Sequence, residues 1–181
     1  AVNDRRSGTY QGVFDEVVRV ASAATPRAIE RPARTFAPPL DCAALVSPDA
    51  AVAAFGSGPV FVDTIMPNDA PTLQAVAGGA QLGCEFWVDW LGGATVQVLP
   101  GGAGALDARL AGVAWEAVEV AGLPAAIACE PPGAAEGNLN CLLELAVDGS
   151  WVEVSALLPT PGQARAAALG MAELVLAHRG R

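Results

Sequence analysis

The sequence predicts an α+β domain: a mainly antiparallel sheet with helices packed on one face, built as two similar halves. Three observations predict it. Two stretches, Cys84–Pro100 (CEFWVDWLGGATVQVLP) and Cys141–Pro159 (CLLELAVDGSWVEVSALLP), run alike. Each opens on cysteine, alternates apolar and polar residues, turns on glycine, alternates again and ends at proline. Period two on either side of a turn is the β-hairpin pattern. A strong helix signature follows the second stretch. The elements between them give the order helix, strand, hairpin, short helix, strands, hairpin, long helix, which is an α+β order. The alternative to duplication is chance, because Val-rich hairpins are common and the two cysteine-to-turn intervals differ slightly.

Residues 10–24 place Val13, Val17, Val20, Ala21 and Ala24 on one helical stripe, so a helix is expected there, in kind the end of an upstream module. Residues 25–39 hold Pro26, Pro32, Pro38 and Pro39 with three arginines, the composition of an extended linker. The globular domain is expected over 40–181. Asp41 can cap a turn containing Cys42, Leu45 and Val46. Ser47-Pro48 reads as an N-cap followed by proline at the first helical position, for a helix Pro48–Phe55 that stops at Gly56. Val60–Ile65 is a strand candidate, and a turn-rich connection with one helical turn at Thr72–Val76 follows.

In the first hairpin Cys84, Phe86, Val88 and Trp90 point to the core and Glu85, Trp87 and Asp89 point away. Gly92-Gly93 make the turn, and Val96 and Val98 return to the core face opposite Thr95 and Gln97. Leu106, Leu110, Val113 and Ala114 suggest a short helix. Trp115–Val120 and Ala125–Cys129 are strand candidates around Gly122-Leu123-Pro124. The second hairpin sends Cys141, Leu143, Leu145 and Val147 inward, turns on Asp148-Gly149, and returns through Val152, Val154, Ala156 and Leu158. Leu142, Glu144, Trp151, Glu153 and Ser155 fall on the outer face. Thr160-Pro161-Gly162-Gln163 is a capping box with proline at the first helical position. The helix it opens buries Ala164, Ala167, Ala168, Met171, Leu174 and Val175 and runs out near His178.

Bulk composition agrees with one packed domain plus an appendage: 181 residues, 52% apolar and only 16% charged. No apolar run reaches the length of a membrane span. The chain opens at Ala1 without a signal-peptide pattern, as a mature secreted form or an excised ectodomain would. All ten basic residues are arginine, and six of them lie within residues 1–34. The remainder carries four arginines against fifteen acids, a net charge of −11. An acidic body of that kind repels phosphate backbones and anionic lipid, which argues against nucleic acid and against docking on such lipid through the body; the basic N-terminal stretch could touch such a surface, solvated charge being its commoner role.

The four cysteines, Cys42, Cys84, Cys129 and Cys141, include no C-x-x-C spacing, so zinc and thioredoxin-type chemistry are poor readings. Three pairings are open. Closing the Pro/Gly/Ala-rich loop between Cys129 and Cys141 would tie two neighbouring strands, and that pairing leaves Cys42 with Cys84. Two such bonds imply an oxidising compartment. The alternative is four buried free thiols, since Cys84 and Cys141 both fall on core faces.

Catalytic sets are sparse. The single histidine, His178, sits at the end of the last helix, where interaction with the helix dipole is its ordinary role. The chain offers no P-loop lysine, no G-x-G-x-x-G and no histidine-based metal site, so no cofactor or metal is expected. Glu85, Asp89, Glu144 and Glu153 share one sheet face, which leaves paired-carboxylate hydrolysis open, though charges in such positions are more often solvated surface. The remaining feature is aromatic. Trp87 and Trp151 fall on the outer face beside Glu85, Asp89 and Glu153, a composition suited to sugar stacking or to a partner's groove. Cover by a helix or by the N-terminal segment is the competing reading.

PLDCAALVSPDAAVAAFG, AGGAQLGCEFW, GLPAAIACE and NCLLELAVDGSWVEVSALLPTPGQARAAALGMAELVLA together resemble actinobacterial secreted proteins and lipoproteins of unknown function. The resemblance covers residues 38–177. It implies an extracytoplasmic envelope protein, two disulfides paired in sequence order and a PsbP-like α/β sandwich, and it brings no catalytic residues. The chain departs from that pattern in lacking a lipid-attachment cysteine at its start. The functional expectation is a non-enzymatic cell-envelope domain that binds a protein, a small ligand or a glycan. The alternatives are a carboxylate-dependent hydrolase of wall polysaccharide and a structural module of a larger envelope protein.

Overall fold

The computed structural model describes residues 36, 38–39, 41–56, 58–64, 82–88, 92–100, 102–106, 110, 114–129 and 139–179. By its internal contacts the chain divides into residues 1–30 and 31–181. The expected helix over 10–24, the turn at Thr72–Val76, and Asp89 and Trp90 lie outside the described residues. Of the expected linker, Phe36 and Pro38 are buried and Pro39 is half-buried.

Two short helices open the described part, α1 (Cys42–Leu45) and α2 (Pro48–Phe55). Asp41 and Ser47 cap them: the Asp41 carboxylate accepts from the Ala44 N–H, and the Ser47 hydroxyl accepts from the Ala50 N–H. Seven strands follow: β1 (Phe61–Thr64), β2 (Leu82–Trp87), β3 (Gly93–Leu99), β4 (Glu116–Val120), β5 (Leu123–Cys129), β6 (Leu139–Val147) and β7 (Ser150–Leu158). A 3-10 turn, Gly102–Ala105, lies after β3. Helix α3 (Pro161–Leu176) closes the chain, with the Thr160 hydroxyl accepting from the Gln163 N–H.

The strands form one sheet in the order β1-β2-β3-β7-β6-β5-β4, every neighbouring pair antiparallel. Two meanders, β1 to β3 and β4 to β7, therefore meet at the β3–β7 seam. At that seam Thr95 stands opposite Ser155. Cys84 is paired with Val96, the residue after Thr95, and Cys141 with Ala156, the residue after Ser155.

Alternation sorts the faces as expected. Cys84, Phe86, Val96, Val98, Cys141, Leu143, Leu145, Val147, Val152, Val154, Ala156 and Leu158 are all buried in one core. Fully burying side chains of the Leu143 or Phe86 kind stabilises by about 1.5–3 kcal/mol each. Helix α3 packs on β6, β7 and α2. It buries Ala164, Ala167, Ala168, Met171 and Val175 as expected, and also Ala172 and Leu176, whereas Leu174 is only half-buried.

Asp148-Gly149 forms the β6–β7 turn with φ of 45° and 77°, the left-handed pair that a two-residue hairpin needs. The β4–β5 turn is the same device at Ala121-Gly122, so Leu123 and Pro124 belong to β5 rather than to the turn. Pro124 is tolerated because it pairs only with Glu119 of β4, ahead of the first residue that β6 contacts, Ala125. Gly93 likewise lies in β3, not in the turn.

Both disulfides form, Cys42–Cys84 and Cys129–Cys141. The first ties α1 to β2. The second joins residues directly opposite each other in β5 and β6, with Cα atoms 4.1 Å apart.

Candidate functional site

The face of the sheet opposite the buried row carries the residues singled out from the sequence. Register arranges them in cross-strand rows. One row runs Phe61, Trp87, Gly93, Leu157, Asn140 from β1 to β6. The next runs Asp63, Glu85, Thr95, Ser155, Leu142. Then come Gln97, Glu153 and Glu144, and finally Leu99, Trp151 and Ala146.

The first row gathers the three large apolar side chains that are exposed among the described residues: Phe61 at 61%, Trp87 at 41% and Leu157 at 39%. They converge because β1, β2 and β7 each begin or end at this edge of the sheet. Between Trp87 and Leu157 stands Gly93, where β2 and β3 approach so closely that an added Cβ would lie 2.2 Å from the Phe86 carbonyl oxygen. Only glycine fits there, and its backbone forms part of the lining of a trough. A depression of about 170 Å³ lies here, bordered by Trp87, Leu157, Glu85, Thr95, Asn140 and Ser155. The Trp87 indole N–H donates to Glu85 Oε2 at 3.0 Å, which holds the ring's orientation. The Ser155 hydroxyl donates to Asn140 Oδ1 at 2.8 Å.

Trp151 sits elsewhere. It lies six positions from Leu157 along β7, so the two tryptophans lie about 20 Å apart along the sheet. Trp151 borders a smaller depression, about 110 Å³, with Gln97, Leu99 and Glu153. Its indole N–H donates to Glu144 Oε2. Glu144 falls on the outer face by alternation, as read from the sequence, yet it is fully buried.

Glu85 and Glu153 share the face without forming a pair. They are two strands and two residues apart, a backbone separation of about 12 Å by sheet spacings. Paired-carboxylate hydrolysis works with carboxyl groups about 5 to 10 Å apart. Glu144 and Glu153, by contrast, stand directly opposite each other on β6 and β7. Among the described residues no cluster of three or more potential metal ligands occurs. His178 does not act on its own helix alone: its Nε2 donates to the Leu45 carbonyl at 2.8 Å, holding the end of α1.

Trp87 and Glu85, singled out from the sequence, border this depression together with Leu157, Asn140 and Gly93, and Phe61 lies beside Trp87; these last four are not singled out from the sequence. Phe61 and Leu157 carried a signal, since each is a large apolar residue out of phase with its strand's inward set. Comparison with protein-family models, curated proteins and solved structures finds no match to the chain. What fold and site define is a class: a disulfide-bonded α+β domain with an aromatic shelf at one end of its sheet.

Proposed function

We propose that this chain is an extracytoplasmic cell-envelope domain that binds a ligand or partner and catalyses no reaction. The observation that carries the reading is the shelf of Phe61, Trp87 and Leu157 beside the Gly93 trough. Soluble domains seldom leave aromatic and aliphatic side chains aligned in water, and such rows mark binding surfaces. Two disulfides support an oxidising compartment. Kinship with actinobacterial secreted proteins belongs to the same proposal.

We further read the sheet as covered by helices on its core face and as two copies of one hairpin unit. The symmetric placement of Cys84 and Cys141 about the Thr95–Ser155 pair supports the duplication.

Retention of cell-envelope extracts on immobilised protein tests the function. Wild type and Glu119→Gln, altered at the far edge strand, should retain the same material, and Trp87→Ala should lose it. Equal retention by Trp87→Ala would remove the shelf from the account.

A further inference from the structure

We propose that the trough between Trp87 and Leu157 binds a pyranose ring of an uncharged glycan, with the ring's C–H face stacked on the Trp87 indole. The inference rests on the binding role assigned above to this shelf and names its ligand class.

Size comes first. A depression of about 170 Å³ is well below the volume that encloses a drug-sized ligand, and it suits a single ring. Chemistry then separates the candidate rings. A partner protein's aromatic or aliphatic anchor seeks a dry apolar pocket. Here four of the bordering side chains, Glu85, Thr95, Asn140 and Ser155, are hydrogen-bonding groups. They stand beside one indole, one leucine, Ala94 and Gly93. An apolar face with a polar rim is what a pyranose presents: axial C–H groups on one side and hydroxyls around the edge, each able to donate and accept.

Charge excludes the anionic alternatives. Glu85 borders the trough, Asp63 stands next to it across β1, and residues 35–181 carry a net charge of −11, so phosphorylated or carboxylated ligands are repelled. Glu85 Oε2 accepts the Trp87 indole N–H, and the second carboxylate oxygen is an acceptor for a ligand hydroxyl. The Trp87–Glu85 bond has a further consequence. It fixes the indole plane before the ligand arrives, so less side-chain freedom is lost on stacking. Phe61 lies beside Trp87 in the next strand and is more exposed still, extending the platform for a second sugar unit.

The test follows the Trp87 indole N–H resonance, assigned with Trp87→Phe, as cellobiose, chitobiose and mannobiose are added in turn at millimolar concentration. At least one disaccharide should shift it saturably. Trp87→Ala, followed through the Thr95 and Ser155 backbone amide resonances because the indole reporter is gone, should weaken that binding about tenfold or more, and Thr95→Val, which keeps the side chain's shape, should weaken it with the fold intact. Phe61→Ala should weaken the disaccharide more than its monosaccharide. A resonance that none of the three disaccharides moves overturns the assignment. Periodate treatment of the envelope extract separates the two levels of the account. Trp87-dependent retention that survives periodate, which cleaves vicinal diols, and that none of the three disaccharides competes away means the shelf is right and the glycan wrong. Retention indifferent to Trp87→Ala means the shelf itself is wrong.

Discussion

The Ser150 hydroxyl donates to the Phe36 carbonyl at 2.8 Å, joining residues 114 positions apart, while the Phe36 N–H donates to the Asp148 carbonyl at 3.2 Å. The segment before α1 is thereby fastened to the β6–β7 turn, and Phe36 is part of the core. Phe36→Ala should cost about 3 kcal/mol or more in urea unfolding. Ser150→Ala, which leaves a buried carbonyl without its donor, should cost about 1–2 kcal/mol. Because the two residues touch, the double variant should lose less than the sum.

The two disulfides should differ in worth. Cys42–Cys84 closes a sequence separation of 42 and Cys129–Cys141 one of 12. Chain-entropy arithmetic gives about 4 kcal/mol for the first and about 3 kcal/mol for the second. Replacing each pair by alanine and measuring the denaturation midpoint should reproduce that order. A larger loss from the Cys129/Cys141 pair would contradict it.

Two glycines should respond oppositely to alanine. Gly162, in the first turn of α3, has nothing within 4 Å of an added Cβ, so Gly162→Ala should stabilise by up to about 1 kcal/mol. At Gly93 the same methyl collides with the Phe86 backbone, so Gly93→Ala should destabilise by more than about 2 kcal/mol. Thermal melts of the two variants should bracket wild type.

His178 gives a fourth case. Its donation to the Leu45 carbonyl joins the end of the chain to α1. His178→Ala should cost about 1 kcal/mol and speed hydrogen exchange at the amides of α1, with the sheet unchanged.

The hairpins were legible because alternation is local. From Cys141 to Leu158 each inward residue follows from its neighbours, and Asp148-Gly149 names its own turn. The caps at Asp41, Ser47 and Thr160 were legible for the same reason. What failed was non-local. Nothing near Gly93 shows that β2 passes close enough to forbid a Cβ, so Gly93 read as a turn residue. Leu123-Pro124 read as a breaker because proline's tolerance depends on where β6 begins pairing. The β3–β7 seam joins stretches some sixty residues apart, and only that register brings Leu157 and Trp87 to the two sides of one trough. Alternation assigns Glu144 to the outer face, but its burial depends on what covers it, which alternation does not encode.

The central claim is a sheet stapled by two disulfides, which support the proposed oxidising compartment. Intact mass after alkylation tests it most directly. Protein purified without reductant should take up no alkyl groups when unfolded in alkylating agent, and four, one per cysteine, only after reduction. Four alkyl groups on the unreduced protein would contradict the account.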